Sequence, residues 1–230
     1  MARPTEGALG LLRLLQLVSP SLPVGAFAYS QGLEWAVEAG WVDTEQGLQD
    51  WLSDQLLLAL TLTDLPILLR MIRAAGAGDW LQMQHWIDEL QALRETAELR
   101  AEEAGRGRAL ADLLGLLGLL DNLHLDQRPL LSGCQLAGFA FAATAWSIEP
   151  KDALLGYAWS WAEHLTLAGI KLIPLGQTAG QRLLLQLAEQ IPGAIERAWL
   201  VEDAEIGASS AALAIASSRH ETQYTRLFRS

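Results

Sequence analysis

A chain that performs chemistry needs a nucleophile, a base or a set of metal donors at workable spacing, and this one offers few. Its single cysteine, Cys134, lies in Ser-Gly-Cys-Gln-Leu, a helix start with no histidine close in sequence. A small core residue fits it better than a thiolate nucleophile. The four histidines, His85, His124, His164 and His220, are scattered. His85 with Asp88 or Glu89 has helical spacing that could hold a metal, as do unrelated pairs in many helices. Glu163 and His164 are adjacent, so their side chains diverge on a helix. No Cys-x-x-Cys, His-Glu-x-x-His or Gly-x-Ser-x-Gly occurs. Gly-Gln-Thr-Ala-Gly-Gln at 176–181 invites a phosphate-loop reading, but it is one residue short and lacks the lysine. A turn feeding a helix accounts for it. No enzyme is expected.

The bulk numbers favour docking. Apolar residues make up 51% of 230 and charged residues 19%, with a mean hydropathy of +0.19. Such a chain either buries unusually well or keeps apolar surface for partners. Nine Trp favour the second, because Trp anchors interfaces. A net charge of −11 argues against nucleic acid, whose phosphates need basic patches, and against an anionic membrane. One cysteine permits no intrachain disulfide and fits a cytoplasmic setting. Arg3, the apolar run from Ala8 to Val18 and Ala26-Phe-Ala28 loosely mimic a secretory leader. Glu6, Arg13 and Gln16 spoil the match, and an amphipathic helix fits better. No membrane span is expected.

The elements that must carry any site are helical. The period of Leu9, Leu12, Leu15 and Val18 predicts a first helix stopped by Ser19-Pro20. A shaped loop follows, then a helix over about 27–39 ending at Gly40. Asp43 or Thr44 caps a third, Asp64 with Pro66 signals a fresh start, and Asp79 caps the next. Further helices are expected over about 96–120, 133–146, 150–173, 176–190, 192–200 and 209–217, with an acidic turn at 202–207. No strand pattern, repeat or linker stands out. The expected fold class is all-α: a single-domain bundle of about ten helices over 1–230.

Three segments do not read as helical filler. The first is Leu-Pro-Val-Gly-Ala-Phe-Ala-Tyr-Ser-Gln-Gly-Leu-Glu at 22–34, which brings Tyr29, Ser30 and Glu34 together after Pro23 and Gly25. A rigid turn with Ser30 or Tyr29 meeting helix-end amides is the plain account. The second is Lys-Leu-Ile-Pro-Leu-Gly-Gln-Thr-Ala-Gly-Gln at 171–181, where Lys171 is a lone cation in an apolar helix. It either snorkels to solvent or meets a partner's carboxylate or phosphate. The third is the tail, 218–230, with Arg219, Glu221, Tyr224, Arg226, Phe228 and Arg229. Arginine and aromatic residues together are interface anchors, though the tail could tuck onto its own domain.

These segments, with Ala-Leu-Leu-Gly-Tyr-Ala-Trp-Ser-Trp at 153–161, resemble the urease accessory protein UreF family across nearly the whole chain. The resemblance implies an all-α homodimer that binds a UreD-type (UreH-type) accessory protein and recruits a UreG-type GTPase. The assembly would deliver nickel to apo-urease, with no cofactor bound stably by this chain. It places Lys171 at a surface that meets or regulates the GTPase, and Gln177 and Gln181 are expected among the partner-binding residues. Tyr29, Ser30 and Glu34 fall near the same assembly surface, and the tail docks the UreD-type partner. Two positions depart from the family pattern. Ala26 stands where the family has Gly, and Ala28 where it has Ser or Thr. Ala at 26 would be strained if that turn needs positive φ. Two alternatives stay open: a GTPase-activating role through Arg106, Arg108 or Arg182 in trans, and a nickel metallochaperone acting alone. The second would want a His or Cys cluster that four scattered histidines do not offer.

Overall fold

The computed structural model describes residues 6–208 and 210–230. Arg3 of the leader-like stretch and Ser209, expected to open the last helix, lie outside them. Among the described residues there are helices and no strands. They are α1 (Glu6–Leu17), α2 (Leu33–Glu38), α3 (Glu45–Gln55), a π-helical segment (Leu56–Asp64), α4 (Leu65–Ala77), α5 (Trp80–Leu93), α6 (Ala97–Leu116), α7 (Arg128–Gly133), α8 (Gln135–Ala145), α9 (Pro150–Leu172), α10 (Gln177–Leu200) and α11 (Ala211–His220). Because α3, the π segment and α4 run on as one rod, Glu45–Ala77, the helices number ten.

The starts follow from side chains that accept orphan amides. Thr44 accepts from Gly47 N at 3.1 Å, Asp79 from Gln82 N at 3.0 Å and Thr96 from Leu99 N at 3.2 Å. Packing follows from small residues. On α8, Ala137, Gly138, Ala140, Ala142 and Ala143 are buried, so this helix presses against both α4 and α6. At Gly107 on α6 a Cβ would stand 2.8 Å from Cys134 N, so only glycine lets α8 begin there.

Three expectations change, each for a stated reason. The second helix starts at Leu33 rather than near Phe27, because Gln31 (φ 52) and Gly32 (φ 76) turn the chain left-handed first. Helix 45–77 does not restart at Asp64. Pro66 has no N–H for the Leu62 carbonyl, but that oxygen accepts Gly207 N at 3.1 Å instead. The π segment lets the rod pass the proline. The uninterrupted rod is long and apolar enough to cross a membrane, but 72% of its most apolar stretch is buried inside the protein. It is the central core helix. Likewise α10 runs through Pro192, which is exposed, so water can reach the carbonyl it frees. The buried row Leu183, Leu187, Ile191, Ala194 and Ala198 continues across it.

The Trp residues mostly serve this core rather than the surface. Of nine, only Trp41 and Trp159 are exposed. The exposed apolar surface is mostly leucine, with Leu11, Leu12 and Leu15 outward on α1 while Leu14, Leu17 and Val18 pack inward.

Candidate docking site

The tail is built onto the 22–34 loop by main-chain and carboxylate bonds. Gly25 (φ 70) turns the chain into a short 3-10 turn, Ala26–Ala28, and Gln31 and Gly32 turn it again into α2. Ala26 is not among the positive-φ residues, so the alanine there is unstrained. Gly32 is fixed twice over. Its φ is positive, and a Cβ would lie 2.7 Å from Ser217 N of α11. This close approach sets α11 and the tail against α2.

Glu34 is the hub. Its carboxylate accepts Leu227 N at 2.6 Å and Phe228 N at 2.8 Å, and Nε2 of His220 lies 3.1 Å away. His220 is fully buried, and its Nδ1 faces Glu98 on α6 at 2.7 Å. Glu98 in turn holds Arg226 at 2.6 Å. With Glu34 and Glu98 both accepting from other donors, the imidazole is clamped between two carboxylates. Ser30 completes the seat. Its N–H and hydroxyl both donate to Ser230 O, at 2.6 and 2.5 Å, and the Ser230 hydroxyl donates to Glu102 at 3.0 Å. Arg229 N donates to Ala28 O at 2.7 Å. Glu221 accepts Ala97 N, the first amide of α6, at 2.9 Å.

The structure therefore brings together most of the residues singled out in the sequence. Ser30 and Glu34 are buried and bound to the chain's own tail, and Tyr29 is buried with its hydroxyl against Gly105 of α6. Phe228 is 6% exposed and lies under Lys171, whose Nζ is 6.0 Å from the ring centroid. Lys171 is exposed, so it snorkels and touches the tail at once. Arg219, Glu221, Tyr224, Arg226, Leu227 and Arg229 point outward. Gln177 and Gln181, at the start of α10, are exposed. They have no recorded bond to the tail among the described residues.

Sequence reasoning missed what lies behind this seat. The segment 98–108 reads as a polar surface, yet Glu102 and Glu103 are buried. They continue the charge network inward. Arg106 is bonded to Glu102 at 2.9 Å, and Arg94 bridges Glu103 and Asp64 at 3.3 and 2.8 Å. Burial raises the Asp64 carboxyl above its ordinary range although Arg94 opposes this. Glu103 also accepts Leu136 N at 2.9 Å, capping α8. In the sequence only the i, i+4 spacing of Glu102 and Arg106 hints at pairing.

The remaining candidates resolve by placement. Cys134 is buried, its thiol donates to Glu103 at 3.3 Å, and burial with that carboxylate pushes its pKa well up, so it is no nucleophile. Burial, then repulsion from Arg106, lowers His164 to about 4. Of the three arginines weighed for a GTPase, Arg106 is inside, while Arg108 and Arg182 are exposed and Arg182 is forked onto Glu45 at 2.9 and 2.7 Å. Among the described residues no group of three or more His, Cys, Asp or Glu could hold a metal ion.

Comparison with known proteins shows the family. The UreF family model matches residues 42–188. The urease accessory protein UreF of Pseudomonas entomophila is 49% identical over 226 residues, covering 96% of this chain and 98% of its own. That of Alcanivorax borkumensis is 48% identical over 222 residues, covering 95% and 97%. That of Alkalilimnicola ehrlichii is 45% identical over 230 residues, covering both chains fully. The chain belongs to the UreF family of urease accessory proteins, and it is an accessory factor rather than an enzyme.

Proposed function

We propose that this chain is a docking scaffold for urease maturation in the cytoplasm, working as one helical unit whose residues 218–230 present the contact surface. The tail binds a UreD-type (UreH-type) accessory protein. The pair recruits a UreG-type GTPase through the Lys171 surface with Gln177 and Gln181. The assembled complex loads nickel into apo-urease, and the metal is cargo of the complex rather than a resident of this chain. The unit acts as a homodimer.

One observation carries the reading. The tail backbone is fixed by buried groups while its recognition side chains face out. Glu34, Ser30 and His220 are at most 8% exposed, whereas Tyr224 is fully exposed and Leu227 is 67% exposed. An aromatic and a leucine held outward on an anchored backbone bind with little ordering cost. Arg226 and Arg229 beside them supply charge.

The test is co-purification with UreD-type and UreG-type partners. Tyr224→Ala with Leu227→Asp should keep the helical spectrum and thermal stability but lose capture of the UreD-type partner. A chain ending at Ser218 should lose the same capture, but should also melt lower because Glu34 and Ser30 lose their buried partners, and Lys171→Ala should weaken GTPase recruitment. Unchanged assembly and urease activation in all three would remove the proposal.

A further inference from the structure

The seat of the tail turns on one group whose bonding demands a particular charge. His220 closes α11 and is fully buried, with Glu34 of α2 3.1 Å from its Nε2 and Glu98 of α6 2.7 Å from its Nδ1. Each carboxylate is already an acceptor. Glu34 takes the Leu227 and Phe228 amides, and Glu98 takes Arg226. An ionised carboxylate has no proton to give, so both ring nitrogens must donate, and only the imidazolium carries two N–H groups. A neutral ring would set a lone pair against one of the two carboxylates.

The charge count reaches the same answer. The ionisable groups bonded within the seat are Glu34 from α2, Glu98 from α6, His220 from α11 and Arg226 from the tail. With the ring protonated, two cations meet two anions. Without that proton one anion is left over, where the side chains of His220, Glu34 and Glu98 are 0%, 8% and 13% exposed. An uncompensated charge at such depth is costly. The neighbouring charges have other partners or face outward. Glu102 is bonded to Arg106, Gln31 and Ser230, Glu38 accepts from Gln223, Glu221 caps α6, Lys171 lies over Phe228 and Arg219 is exposed.

We infer that His220 is a proton latch: the tail is held on α2 and α6 while the imidazole carries both protons, and it opens as pH rises through the range in which histidine titrates. Over that range the seated tail binds more protons than the open one, so falling pH favours seating and rising pH removes it. The carboxylate that faces the ring also holds the Leu227 and Phe228 amides, so loss of the proton reaches the tail backbone directly. Any effect on partner capture rests on the docking reading above, whereas the states of the ring and of the tail do not.

The test uses the full chain with 15N-labelled histidine, the His220 signals being assigned by their loss in His220→Gln. At about pH 6 both ring nitrogens should read as protonated and the tail should resist proteolysis. Toward about pH 9 one nitrogen should lose its proton, and cleavage within 221–230, scaled to a free peptide of the same sequence, should rise about tenfold. His220→Gln should be cleaved fast at every pH, as would any variant that merely breaks the seat. Glu98→Gln separates a latch from a simple support. Its amide oxygen can accept from Arg226 while its N–H donates to Nδ1 of a neutral ring, whose Nε2–H still donates to Glu34. This variant should keep the tail protected at about pH 9 and flatten the pH dependence. The latch is overturned if the parent's tail stays protected while His220 carries one proton, if parent cleavage does not change with pH, or if Glu98→Gln fails to protect the tail at the higher pH. A working latch with pH-independent partner capture would instead remove the docking reading of the tail and leave the latch standing.

Discussion

The rod 45–77 and the tail 221–230 are held by different forces, and that difference decides which can serve as a moving part. The rod is clamped by packing. Leu52, Leu56, Leu65, Ile67, Leu68 and Leu69 are at most 1% exposed, and α8, α5 and α10 all pack on it. The tail contributes one buried apolar side chain, Phe228. Most of what else fixes it is hydrogen bonds and ion pairs, to Glu34, Glu98, Ser30 and Glu102 and to the Ala28 carbonyl and the Ala97 amide. Apolar burial has no other partner to turn to, whereas polar bonds can be exchanged for water or for another protein's groups at modest net cost. Removing a rod leucine should therefore unfold the molecule, and removing a tail bond should free the tail alone.

The largest effect belongs to the rod. Leu68→Ala should cost about 2–5 kcal/mol of global stability in denaturant titration, through lost burial and the cavity left behind. Tail protection should fall only as the whole protein does. A local loss confined to the tail would reverse the contrast.

Acid should act on the core through one buried imidazole. His164 of α9 is held neutral, at about 4 against an ordinary 6.5. A depressed imidazole leaves the unfolded chain binding the proton first. Stability is thus complete above about 6.5 and is lost as pH falls toward about 4, by roughly 3 kcal/mol in all. Below that both states are protonated and the loss stops. His164→Phe should flatten this limb of the stability–pH curve. An unchanged slope would show that another group sets it.

How much of this could be read from residues alone differs between the same two regions. The rod's caps and apolar faces were legible, because Thr44 and the leucine period act locally. Its continuity through Pro66 was not, since it depends on Gly207 N arriving from far along the chain to take the Leu62 carbonyl. Tyr29, Ser30, Glu34, Lys171 and Phe228 were legible as unusual residues, and the structure does gather them. That Glu34 binds the chain's own Leu227 and Phe228 amides was not legible, because a carboxylate and a distant amide carry no sequence pattern. The buried Glu102, Glu103, Arg94 and Asp64 were missed for the same reason: helical spacing shows which side chains share a face, not which face is covered.

On the tail, the hub matters most. Glu34→Ala leaves the Leu227 and Phe228 amides and one side of His220 without their acceptor. Losing charge-assisted bonds of this kind costs about 2–3 kcal/mol. Much of that should appear as local opening. Limited proteolysis should cut within 221–230 at least tenfold faster, while the denaturation midpoint shifts less than in Leu68→Ala. Equal losses in both variants would show that the tail folds as one unit with the rod.

The smallest effect sharpens the contrast most. Lys171 touches the tail only through the face of Phe228, at 6.0 Å and from an exposed position. A cation–π contact of this type contributes about 0.5–1 kcal/mol. Lys171→Ala should thus leave the denaturation midpoint within error and raise tail cleavage only two- to fivefold. Lys171→Arg should restore it, because a guanidinium also stacks on an aromatic face. If the alanine variant instead weakens GTPase recruitment while tail cleavage stays at the parent rate, Lys171 meets the partner directly. If cleavage and recruitment change together and arginine rescues both, Lys171 acts through Phe228, and the seat of the tail governs what docks there.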